Sequence, residues 1–171
     1  VLSSWYDSFT NQFHKRNVWQ YLEVPEKGCF TDFRIMKVDN EELALERVFS
    51  IGGKTGWYYA NFLWKIRGFL DKLIGGVGLR RGRRNQNELE AGDSVDFWRV
   101  LYANKEEKRL LLFAEMKVPG EAWLEFYIKN GELYQEATFR PLGLSGRLYW
   151  YSVLPFHGLI FNGMLRKLAG K

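Results

Sequence analysis

Four runs of strand-forming residues follow one another in the middle of this chain: Ser94–Tyr102, Arg109–Val118, Glu121–Lys129 and Glu132–Arg140. The breaks between them are ANKEEK, Pro119-Gly120 and Asn130-Gly131. None is long enough for a crossover helix, which takes about a dozen residues or more. Strands joined so closely pair antiparallel. Asn-Gly in particular favours a type I′ hairpin, because both residues accept positive φ. The centre is therefore expected to be an antiparallel meander, without a solenoid repeat.

The flanks are helical or extended. Residues 30–38 (FTDFRIMKV) alternate as a strand. Asp39 and Asn40 are good helix caps, and EELALERVFSI follows as a short helix that Gly52 and Gly53 stop. From about Trp57 to Ile74, Tyr59, Phe62, Ile66, Phe69 and Leu73 recur at helical spacing, widened by Leu63 and Leu70. Trp57, Trp64 and Gly68 lie on the opposite side, beside Arg67 and Asp71. This helix is thus expected to be covered on both sides, with one facing the core.

Arg147–Lys171 reads as a last helix, in which Leu148–Leu165 is almost unbroken apolar sequence. Ser152, Pro155, His157, Gly158, Asn162 and Gly163 interrupt it, which favours a helix buried across a sheet over a membrane span. Pro155 is expected in its first turn or at a kink. The order of elements gives an α+β layer architecture, a curved antiparallel sheet wrapped around a long C-terminal helix with a cavity between them.

A chain of 171 residues suits one domain and buries roughly 70% of its unfolded surface. It needs no metal or disulfide to hold a core. Cys29 is the only cysteine, and with His14 and His157 as the only histidines no Cys/His zinc site can be assembled. A lone cysteine fits a reducing compartment, so the cytoplasm is expected. Aromatic residues make up 17%, including seven Trp, which suggests an aromatic core or a cavity lined with rings.

Charge is localised. Between residues 54 and 84, eight basic residues face Asp71 alone, while the remainder carries 17 positive and 19 negative side chains. Gly76, Gly78 and Gly82 punctuate the loop that holds Arg80, Arg81, Arg83 and Arg84. A dinucleotide fingerprint would follow a strand and open a helix, and this loop follows a helix instead. Its arginines are read as solvated or acid-paired, or as an anion contact that can grip phosphate or carboxylate.

The segments IGGKTGWYYANFLWKIRGFLDKLIGGVGLRRGRR, GDSVDFWRV, AEMKVPGEAWLEF and RPLGLSGRLYWYSVLPFH with IFNGM closely resemble an uncharacterised bacterial family, a domain of unknown function. The resemblance covers about residues 30–168. That domain follows an NAD(P)-binding, epimerase-like short-chain-dehydrogenase domain, and looks like a member of the helix-grip superfamily of START lipid-transfer domains and polyketide cyclases. It implies a helix-grip domain over residues 30–171, with residues 1–29 as an arm or linker to the preceding domain. Val1 in place of a starting Met agrees with such a connection. NAD(P) would belong to the upstream domain, so no cofactor is expected in this one. The resemblance supplies no catalytic residues.

The candidate site residues come from the chain itself. Trp57, Trp64, Trp98, Trp123 and Trp150 are the rings expected at a ligand cavity. Asp96, Glu115 and His157 are the candidate proton-transfer groups, Asp96 and Glu115 because acids beside rings are unusual on a core face. Their structural alternatives are an outer wet face or pairing with Arg99 and Lys117 for the acids, and plain core packing for His157. Ser145 and Ser152 have no nucleophile motif around them. Three functions remain open: binding of a hydrophobic or aromatic small molecule beside the NAD(P)-binding domain, an enzyme of cyclase or hydratase type, and an interaction domain filled solid. Nucleic acid and a membrane are not expected as partners, since the basic stretch carries no reading motif.

Overall fold

The structure, a computed structural model, describes residues 22–73, 75–76 and 88–171. Most of the N-terminal arm and all four arginines of the glycine-rich loop lie outside the described residues. Six strands form one antiparallel sheet: β1 (Phe30–Lys37), β2 (Ser94–Val95), β3 (Trp98–Asn104), β4 (Arg109–Ala114), β5 (Gly120–Lys129) and β6 (Glu132–Pro141). Their order is β1-β6-β5-β4-β3-β2, and the sheet does not close into a barrel. The meander is as the turns predict, with β1 added beside β6 in the register Phe30 to Phe139.

Three helices lie among the described residues: α1 (Glu41–Phe49), α2 (Asn61–Leu73) and α3 (Gly143–Ala169). Asn40 caps α1, its side chain accepting from the Leu43 N–H at 3.1 Å. α3 packs over β6 and β1, and α1 packs against α3 and β5. The main core lies between these helices and the inner sheet face. It joins Leu110, Leu112, Leu124 and Phe126 to Val48, Met164 and Leu168.

Two strands depart from their predicted extents for local reasons. The expected strand Ser94–Tyr102 breaks at Asp96, whose φ of 55° turns the chain. Asp is one of the few non-glycine residues that accept that region readily. Further on, a bulge between Val100 and Tyr102 lets Leu101 join Leu111, Phe113 and Trp123 in a second apolar cluster. β4 stops at Ala114 rather than Val118. Beyond it the Lys117 N–H donates to Asp71 Oδ1 at 2.7 Å instead of to a neighbouring strand.

The helices correct two expectations. α2 starts at Asn61 rather than Trp57, because Tyr58 and Ala60 hold positive φ values of 62° and 51°. Its regular stripe is the outer one: Phe62, Phe69 and Leu73 are more than half exposed, while Trp64 and Asp71 are buried. α3 is likewise covered on one side only. Trp150, Phe161 and Met164 are buried, and Leu144, Leu148 and Leu159 are exposed. Pro155 sits in its interior. Among the described residues no helix is long and apolar enough to cross a membrane.

Candidate functional site

A cavity of about 290 Å³ opens between α2, α3 and the sheet. Three of its rings come from three different elements. Trp64 comes from α2, Trp98 from β3 and Trp150 from α3. Trp64 stacks on Phe97 at 5.7 Å and on Trp57 at 4.5 Å. Trp150 lies parallel to Phe30 and Phe139, at 5.4 and 5.9 Å. These stacks fix the rings, and so the shape of the wall.

The other two tryptophans hold different places. Trp57 is buried behind Trp64 and does not border the cavity. Its indole nitrogen donates to Asp96 Oδ2 at 2.8 Å. Trp123 borders the cavity from β5, but strand alternation turns its side chain away from Ala122 and Leu124, which face the core. Its ring meets Phe113 edge-on at 5.3 Å and lies under Arg140.

The proposed acids also divide. Neither Asp96 nor Glu115 borders the cavity. Asp96 holds Trp57. Glu115 Oε1 accepts from both Arg99 Nε and Nη2, at 2.9 and 2.7 Å, and Arg99 is further tied to the Gly92 carbonyl. Of the two pairings foreseen for Glu115, with Arg99 and with Lys117, the Arg99 one is formed.

His157 does border the cavity, between Trp150 and Phe161. Its Nδ1 lies 3.7 Å from Asp32 Oδ2, an ion-pair distance rather than a hydrogen bond. Asp32 is gripped by Arg34 through Nε and Nη2, at 2.8 and 2.9 Å, and Arg34 also bonds Asn162 on α3. Burial alone would raise the Asp32 pKa. The His157 and Arg34 side chains outweigh that and hold it below the ordinary carboxylate value.

This Asp32–Arg34–His157–Asn162 group was not foreseen from the sequence. One signal existed. Asp32 and Arg34 are two apart on a strand and so share a face, and that face is the one under α3, leaving Phe33 and Ile35 half exposed on the other. Among the described residues no group of three or more His, Cys, Asp or Glu could hold a metal ion.

Fold and site together define a class, an α+β domain in which an open six-stranded antiparallel sheet and two helices enclose an apolar, ring-lined cavity. Residues 26–164 match the family described as a protein of unknown function, DUF2867, and the chain belongs to it. It is also 30% identical over 103 residues to the probable translation initiation factor IF-2 of Pyrococcus abyssi (strain GE5 / Orsay). That match takes in 50% of this chain and 10% of the relative, so the chain spans about a tenth of that protein's length. A crystal structure of hypothetical protein jhp0584 from Helicobacter pylori overlaps 89% of this chain and 94% of its own. Its TM-score is 0.49 and its identity 10%, too loose a likeness to carry an argument.

Proposed function

We propose that this domain binds a hydrophobic or aromatic small molecule in the cavity between α2, α3 and the sheet. The observation that carries the reading is the wall itself, about 290 Å³ enclosed by Trp64, Trp98, Trp150, Phe139 and Phe161. That is close to the lower end of the range of ~300–1,000 Å³ for drug-sized ligands. A domain packed solely for stability closes such space, because interiors approach crystal-like density. The long α3 laid on an antiparallel sheet supports a helix-grip relationship. On this reading the domain works in the cytoplasm beside an NAD(P)-binding, epimerase-like domain of the same polypeptide and holds no cofactor of its own. Arg80, Arg81, Arg83 and Arg84 would be its anion contact with that neighbour.

One observation favours a second reading, an enzyme of cyclase or hydratase type. His157 stands on the cavity wall with Asp32 beside its Nδ1, an arrangement that can hold an imidazole ready for proton transfer.

The test of the first reading is titration with N-phenyl-1-naphthylamine, an uncharged fluorophore that brightens in apolar sites. The wild-type protein should bind it saturably. Ala122→Phe, which places a ring in the cavity from β5, should abolish the signal while keeping a cooperative unfolding transition. A wild-type protein that leaves the fluorophore dark would sink the proposal.

A further inference from the structure

Besides Thr138, Tyr149 and His157, the polar groups on this cavity wall include two buried indoles that can only donate. Trp64 and Trp98 both stand on its wall and are more than nine-tenths buried, and in each the indole Nε1 meets no acceptor among the described residues. An indole nitrogen can only donate. Buried donors are nearly always matched, and leaving one without a partner costs free energy. Two on one wall call for an acceptor from beyond the described residues.

Arg67 adds charge to the same wall. It stands three residues after Trp64 on α2, so the two side chains are neighbours on the helix surface. Its Nη2 donates to the Lys117 carbonyl at 3.3 Å. Its Nη1 is 4.0 Å from Asp71 Oδ1, an oxygen that already accepts from the Lys117 N–H at 2.7 Å. A guanidinium carries five donors, so most of this one's capacity is unspent. No Asp or Glu lies on the wall among the described residues.

We infer that the ligand is an apolar monocarboxylate, its body among Trp64, Trp98 and Trp150 and its carboxylate toward Arg67. This rests on the proposed binding of a hydrophobic molecule and names its head group. A pure hydrocarbon would leave both indole donors orphaned, and an amine would bring a cation to Arg67. A phosphate dianion would bring two charges to a guanidinium that already has Asp71 at ion-pair distance, in an apolar space where an uncompensated charge is costly. A carboxylate brings a single charge and matches the planar, two-pronged shape of a guanidinium.

The test is competition against bound N-phenyl-1-naphthylamine by octanoate and by octanol, which share a chain and differ in the head. Octanoate should displace the fluorophore at a concentration at least about tenfold lower than octanol, as a charge-assisted hydrogen bond implies. In Arg67→Met that ratio should collapse toward one, and Arg67→Lys, which keeps the charge, should retain part of it. Octanoate should also shift the Trp64 and Trp98 indole proton resonances, assigned by single Trp→Phe variants, to a greater extent than octanol does. Equal competition by the two compounds, or an unchanged ratio in Arg67→Met, overturns the carboxylate while leaving the cavity reading intact. Failure of the fluorophore to bind wild-type protein overturns both.

Discussion

The Trp57 indole nitrogen and Asp96 Oδ2 are 2.8 Å apart, and both side chains are buried. The bond ties the segment before α2 to the kink between β2 and β3, and so sets where Trp64, stacked on Trp57, stands at the cavity. Asp96 reaches Trp57 from a backbone conformation with φ of 55°. Its carboxylate is therefore a structural anchor, where the sequence alone left it a candidate proton-transfer group.

Asp96→Ala should lower stability. It orphans a buried indole N–H, at about 1–3 kcal/mol, and it places alanine in a strained left-handed region. Asp96→Asn keeps an acceptor and tolerates the same φ, so it should lose less than about 1 kcal/mol. Urea unfolding of the two variants measures the difference. An alanine variant as stable as wild type would show that the bond contributes nothing.

Asp32 links stability to pH. Its folded pKa is held below the ordinary value of 3.8 by His157 and Arg34, against the upward pull of burial. An acid with a depressed folded pKa contributes stability that is full above its unfolded pKa and lost as pH falls through the folded one. Asp32→Asn should thus be destabilised at pH 7, by about 1.5–3 kcal/mol for lost charge-assisted bonds. The gap to wild type should narrow once pH drops below the ordinary value. A constant gap between pH 7 and pH 3 would contradict the assignment.

Much of the fold follows from local chemistry, and the site follows from it far less. Asn130-Gly131 announces the β5–β6 hairpin, and Asn40 announces α1, because a turn or a cap is settled by a few adjacent residues. The orientation of α2 is not readable that way. Both of its sides are apolar, and the more regular stripe, through Phe62 and Phe69, is the exposed one. Trp64, Trp98, Trp150 and His157 were singled out from the sequence and do border the cavity. Trp123 borders it too, though its ring packs with Phe113 away from Ala122 and Leu124, because its strand's facing depends on which side the helices cover. Asp32 meets His157 across most of the chain length, and no spacing rule reaches that far. Arg67 was placed beside Trp64 on the helix and counted in a basic stretch, but not as a cavity group, since its value there depends on the orphaned indole donors around it.

Glu136 and Glu125 face one another across β5 and β6, and Glu125 also pairs with Arg109. Burial, with the Glu125 charge, raises the Glu136 pKa above its ordinary 4.5. A raised carboxylate means that the folded state takes up its proton more readily than the unfolded chain, so the ionised pair weakens the fold at neutral pH and relaxes in acid. Glu136→Gln should be more stable than wild type at pH 7 by about 0.2–1 kcal/mol, the scale of a cross-strand pair. The advantage should fade as pH falls through the raised folded pKa toward the ordinary one. Thermal unfolding at pH 7 and pH 4 would check the sign at both ends.

Two glycines of α3 should respond in opposite directions to the same substitution. A Cβ at Gly158 would meet nothing within 4 Å, so Gly158→Ala should add helix propensity alone, about 0.8–1 kcal/mol. A Cβ at Gly163 would lie 2.3–2.5 Å from the Tyr59 ring, closer than packed atoms allow. Gly163→Ala must push that ring away, at the ~1–3 kcal/mol typical of overpacking, which outweighs the propensity gain. The cause can be isolated in a Tyr59→Ala background. There Gly163→Ala should turn neutral or stabilising, leaving a coupling energy of about 1 kcal/mol or more between the two positions. Additive effects in that cycle would mean that Tyr59 does not rest on α3 at Gly163, and would detach the segment before α2 from the helix that forms the cavity's other wall.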